Sequence, residues 1–199
     1  MRTTSKFTAA LAGLGLAAVS VLATAGTANS HGYTTSPTSR QAHCAQGAMD
    51  NCGSIVWEPQ SVEGPKGFPQ AGPADGSICS GGLSQFRQLD EPRNGSWPTT
   101  QLQAGAGFSF NWTITAAHST TNFRYFVTKD GWNPNTPLTR ADLEPQPFMT
   151  VPMNGQQPNW TERHQGSLPT QKSGRHMILA VWDVHDTANA FYACSDVRF

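Results

Sequence analysis

The sequence predicts an all-β protein, a β-sandwich with one long loop insertion that carries short helices. Three observations point there. The 199-residue chain holds 19 Gly and 14 Pro, and few of its segments repeat apolar residues at helical spacing, so strands and loops should dominate. Phe108, Phe110, Trp112 and Ile114 alternate with Ser109, Asn111, Thr113 and Thr115, the period-two pattern of a strand with one face buried. Further short apolar runs after residue 105 are separated by turn-rich connections, as in a sandwich.

Taken in order, residues 1–30 read as a secretory signal peptide. Arg2 and Lys6 precede the apolar run 7–25, and Ala28 and Ser30 are the small residues that signal peptidase tolerates at its −3 and −1 positions. Cleavage after Ser30 makes His31 the new N-terminus, with sites before Gly26 and Asn29 as alternatives. Residues 31–199 then form a single domain, released outside the cell. No later apolar stretch is long enough to cross a bilayer, and no cysteine follows the leader to take a lipid.

Residues 36–105 are rich in Gly, Pro, Ser and Gln with only short apolar clusters, and ordered loops of that length are usually functional. Strands are expected at 108–115, 122–128 (NFRYFVT), 177–184 (MILAVWDV) and 190–199 (AFYACSDVRF). The four cysteines, Cys44, Cys52, Cys79 and Cys194, are an even count in a secreted chain and imply two disulfides. Of three pairings, Cys44–Cys52 with Cys79–Cys194 is preferred, although the spacings leave the others open. A zinc site is the rival reading, but no CxxC pair exists.

The 13 basic side chains balance the 13 acidic ones, and two of the basic ones, Arg2 and Lys6, lie in the leader. Such a chain has no basic surface for nucleic acid. No membrane association is expected, and a monomer is.

An N-terminal His31 offers two nitrogens at once, the α-amino group and imidazole Nδ1, which close one chelate ring around a metal. The ordinary α-amino pKa of about 8 makes its proton easy to displace near neutral pH. A third nitrogen must come from His43, His118, His164, His176 or His185. His118 is best placed, since it follows the 108–115 strand in the small polar turn 115–121. Three nitrogens with open positions suit tetragonal Cu(II).

Four blocks carry a resemblance: HGYTTSPTSR at the mature start, EPQSVEGPKGFPQAGPADG from Glu58, TAAHSTTNFRYFVTKDGW from Thr115, and LAVWDVHDTANAFYACSDV from Leu179. In order and across nearly all of residues 31–199, they resemble bacterial lytic polysaccharide monooxygenases of auxiliary activity family ten, most of all the chitin-active branch once described as chitin-binding proteins. The resemblance implies an immunoglobulin-like or fibronectin III-like sandwich whose insertion builds a flat binding face. It also implies one copper ion held by the amine and Nδ1 of His31 and a ring nitrogen of His118. Phe191 matches the apolar ring beside the axial position, and Ala116 the small residue opposite. Glu63 matches the carboxylate that hydrogen-bonds and moves protons beside the oxygen co-substrate.

By the same resemblance Trp57, Glu58, Gln60, Thr115 and Asp186 belong to the substrate face, Trp57 by laying its indole on a sugar ring. A core position beneath the loop is the alternative for Trp57. Trp182 reads as core and His185 as surface. The implied activity is oxidative cleavage of crystalline chitin, by hydroxylation at C1 with O2 or H2O2 and an external small-molecule or protein electron donor, leaving aldonic acid ends. Three rivals are a non-catalytic chitin-binding protein, a glycoside hydrolase using Glu58 and Glu63, and a copper carrier, which usually needs softer Cys or Met ligands. Oxidation at C4, or the same chemistry on cellulose, is a further variant.

Overall fold

The computed structural model describes residues 30–199, so the signal peptide reading, Ser30 apart, lies outside the described residues. Nine strands run β1 (His31–Ser36), β2 (Glu63–Pro65), β3 (Thr100–Gln101), β4 (Gly107–Ala116), β5 (Thr120–Val127), β6 (Met149–Pro152), β7 (Thr161–Ser167), β8 (Arg175–Val184) and β9 (Asn189–Arg198). One short helix, α1 (Arg40–Ala45), and 3-10 turns at Gly53–Val56, Ser84–Leu89 and Arg93–Gly95 occupy the insertion, with a further turn at Arg140–Asp142. The sheets are β1-β4-β7 and β2-β9-β8-β5-β6, with β3 also paired to β9. Together they make an immunoglobulin-like β-sandwich. The four strands expected from sequence are β4, β5, β8 and β9, each within two residues of its expected ends.

The continuous apolar run of β8 has a simple cause: both of its faces are covered. Ile178, Ala180 and Trp182 pack between the sheets with Phe110, Trp112, Phe123 and Phe191. Met177, Leu179 and Val181 alternate with them and meet a second core, built with Ile55, Val62, Phe68, Ile78, Phe86 and Trp97 of the insertion. β9 divides in the same way, Phe191 and Ala193 to one core and Tyr192 and Cys194 to the other. The insertion is therefore a third layer fastened to the larger sheet, not a loose loop.

The outer edge of β9 shows how it is fastened. β2 pairs with the start of this strand and β3 with its end. Between them Gln41 Nε2 donates to the Tyr192 carbonyl at 3.0 Å, and Arg40 Nε donates to Asp196 at 2.7 Å with both side chains buried. The Cys79–Cys194 disulfide ties the insertion to the same stretch, and Cys44–Cys52 closes the local loop after α1. The preferred pairing is the one observed. An edge covered in this way offers no free backbone to another chain.

Candidate metal centre

The site grows from one end of the sandwich. β1 begins at His31 and pairs antiparallel with β4, which sets His31 opposite Ala116. His118 follows two residues later, in the turn between β4 and β5. That turn is held from below: the buried Trp182 Nε1 donates to Thr120 Oγ1 at 2.8 Å, and Thr120 Oγ1 donates to the His118 carbonyl at 2.9 Å. The His185 amide donates to the Ser119 carbonyl at 2.7 Å, which joins the turn to the β8–β9 loop.

Phe191 is fully buried at the start of β9, with its ring centroid 6.2 Å from that of His31 and 4.9 Å from that of Trp182. Glu63 sits directly across the β2–β9 ladder from Phe191. Asn189 Nδ2 donates to Glu63 Oε1 at 2.7 Å, which fixes one carboxylate oxygen. Beside it a cavity of about 420 Å³ is lined by Ser61, Glu63, Gly64, Pro65, Leu83, Gln85 and Asn189. Asn189 gave no signal in sequence, where an amide in a loop looks like any other.

Glu63 is placed by a backbone contact. A methyl group added at Gly64 would land on the Gly81 carbonyl oxygen, well inside van der Waals contact. Backbone cannot swing aside as a side chain can, so Gly64→Ala should cost about 1–3 kcal/mol and lower the thermal midpoint by roughly 5 °C. A scanning calorimetry trace unchanged from wild type would refute this account.

The expected binding residues lie around the same end. Trp57 is 87% exposed, which removes the core alternative. Glu58 and Gln60 are half-buried and Thr115 is exposed. The Gly32 amide donates to the Gln60 carbonyl at 3.1 Å, and Thr115 Oγ1 donates to the His31 carbonyl at 3.4 Å. Asp186 Oδ1 meets His118 Nε2 at 2.7 Å, and the carboxylate remains 55% exposed.

The other histidines are accounted for elsewhere. His43 lies in α1, where burial holds it below the ordinary histidine range, against the pull of Asp196. Burial likewise lowers His164, against Glu162, and Nδ1 of this ring meets the Tyr125 hydroxyl at 2.6 Å. The buried His176 contacts Thr128 Oγ1 at 3.0 Å. His185 is exposed, as expected.

Among the described residues no three His, Cys, Asp or Glu side chains gather as a metal site. A chain beginning at His31 would add a main-chain amine to the two imidazoles at this end. Two imidazoles and such an amine would be a neutral three-nitrogen set of the kind that suits tetragonal Cu(II).

The chain is similar to known proteins in both sequence and fold. A family described as "Lytic polysaccharide mono-oxygenase, cellulose-degrading" matches residues 31–197. An AA10 lytic polysaccharide monooxygenase from Streptomyces lividans is 59% identical with a TM-score of 0.83, covering 85% of this chain and 100% of that one. A CBM33 from Bacillus amyloliquefaciens, solved in complex with Cu(I), is 41% identical with a TM-score of 0.77, covering 84% and 99%. GlcNAc-binding protein A of Shewanella oneidensis is 44% identical over 87% of this chain and 36% of its own length. The chain spans about half or less of the curated relatives it matches.

Proposed function

The chain belongs to the lytic polysaccharide monooxygenases of auxiliary activity family ten, and from that membership we propose that it cleaves crystalline chitin by copper-dependent oxidation at C1. The observation that carries the reading is the β1–β4 register: it brings His31 opposite Ala116, two residues from His118, next to the ring of Phe191 and the strand that holds Glu63.

His31, by its amine and Nδ1, and His118, by a ring nitrogen, would hold one copper ion. Bound there, copper supplies one-electron redox chemistry and activation of O2 or H2O2. Phe191 keeps a strong ligand from one side, and Ala116 leaves the opposite side small. Glu63, pinned through Oε1, holds or passes a proton at its free oxygen while the co-substrate is consumed. Trp57 stacks on a sugar ring, and Glu58, Gln60, Thr115 and Asp186 meet hydroxyl and amide groups around it. The polymer loses hydrogen at C1 and gains hydroxyl; the glycosidic bond then breaks, and the resulting lactone hydrates to an aldonic acid. An external reductant supplies electrons.

Chitin is favoured over cellulose by the resemblance to the chitin-active branch and by the GlcNAc-binding relative; the description of the matching family favours cellulose. Secretion, a single domain at 31–199 and a monomeric state complete the proposal.

The test is copper-loaded protein beginning at His31, incubated with β-chitin with and without ascorbate and read by mass spectrometry. Aldonic acid oligosaccharides should appear only with reductant. Native-mass fragments without reductant would mean hydrolysis. Strong binding with no products would mean a binding protein, and products from cellulose alone would move the substrate.

A further inference from the structure

Among the described residues, two large hydrophobic side chains are strongly exposed: Trp57, at 87%, and Trp160, at 66%. A single exposed indole needs no explanation. Two at the same end of one sandwich do.

Trp160 precedes β7. The Ile114 amide donates to its carbonyl at 2.9 Å, so the β4–β7 ladder runs one step past the Thr113–Thr161 pair and sets Trp160 beside Ile114, two residues before Ala116. On the far side of β1, the Gly32 amide donates to the carbonyl of Gln60, in the turn that directly follows Trp57. The order across this end is therefore the Trp57 turn, β1 with His31, β4 with Ala116, and then Trp160. Two strand spacings, about 10 Å, separate β1 from β7.

The backbone around Trp160 is anchored. The Asn159 amide and Nδ2 donate to Glu162 Oε2 at 2.8 and 3.0 Å. The preceding loop is tied to the His118 turn, with Thr120 N donating to the Gln156 carbonyl at 3.0 Å and Ser119 Oγ to the Gly155 carbonyl at 2.7 Å. An indole held out from a fixed backbone loses little freedom on meeting a ligand. Among the described residues every other Trp and Phe ring packs into one of two cores, and an exposed pair beside them marks a contact surface.

We propose that Trp160 is a second aromatic contact for the polysaccharide, across the His31–Ala116 pair from Trp57, so that the polymer lies over the metal centre from one indole to the other. The proposal rests on the chitin reading. It assigns specificity for a long flat substrate to a residue outside the insertion: one indole grips a single ring, whereas two indoles on opposite flanks need a polymer or a crystal face.

The test uses metal-free protein, so that binding is read apart from turnover. Depletion from β-chitin suspensions is measured for wild type, Trp160→Ala and Trp160→Phe, with Cu(II) affinity followed by calorimetry. Trp160→Ala should bind chitin about tenfold more weakly, Trp160→Phe should recover most of the loss, and all three should bind Cu(II) equally. Equal chitin binding by wild type and Trp160→Ala would overturn the proposal, as would a loss that accompanies weakened Cu(II) binding. If wild type ignores chitin but binds cellulose, the chitin reading fails, and the same comparison on cellulose decides the role of Trp160. Binding to neither polymer would overturn both.

Discussion

Replacing His118 by alanine is expected to abolish reductant-dependent release of oxidised chitin fragments while the metal-free protein keeps most of its grip on the polymer. The two functions separate because their residues do. The ring of His118 faces Asp186 at the end of the β4–β5 turn, whereas Trp57 stands on its own turn beyond β1. Removing one of three nitrogens should weaken Cu(II) binding by more than about 100-fold, since even outer partners of metal ligands are worth about 10–100-fold. His118 is half-buried at the rim of the fold, and its main chain is held through Thr120 and Trp182, so the variant should fold. Retained oxidation would sink the copper assignment; loss of chitin binding in parallel would show that metal and polymer are not handled separately.

A methionine left in front of His31 should have an effect of the same size without altering any side chain. The extra residue converts the amine to an amide, whose nitrogen lone pair is delocalised into the carbonyl and is no donor until deprotonated. The chelate ring is lost while the imidazole remains. Calorimetry on extended and correctly cleaved protein should therefore differ by about 100-fold or more in Cu(II) affinity, with identical thermal unfolding in the absence of metal. Equal affinities would refute a main-chain ligand. The comparison also tests the proposed processing after Ser30, because native protein with full copper affinity must begin at His31.

The sandwich was legible where residues alternate for one buried face, as in β4, or run apolar because both faces are covered, as in β8. It was not legible in β7. There the inward positions are Glu162 and His164, both buried, with His164 engaging Tyr125, so the strand points polar groups inward and carries no hydrophobic rhythm. β2 and β3 are three and two residues long and exist through their pairing with β9, a long-range fact that no local pattern records. At the site, His31 and His118 could be found from donor chemistry and position. Glu63, Phe191 and Ala116 could not, because a loop acid, a strand phenylalanine and an alanine become informative only through register; the family resemblance singled them out. Asn189 and the Trp182–Thr120 support of the His118 turn required coordinates. So did Trp160, which the sequence leaves among six tryptophans.

The two disulfides carry a consequence for the proposed reaction, which draws on an external reductant. All four cysteines are buried, Cys79 and Cys194 between the insertion and the larger sheet. Thiol exchange needs a thiolate to reach a sulfur directly, and neither bridge offers one to solvent. The fold thus keeps the proposed metal centre, at the rim, apart from two covalent staples that lie buried. On the proposed activity, turnover could then proceed in a medium that would unstitch an exposed bridge, with the insertion still attached to the sheet.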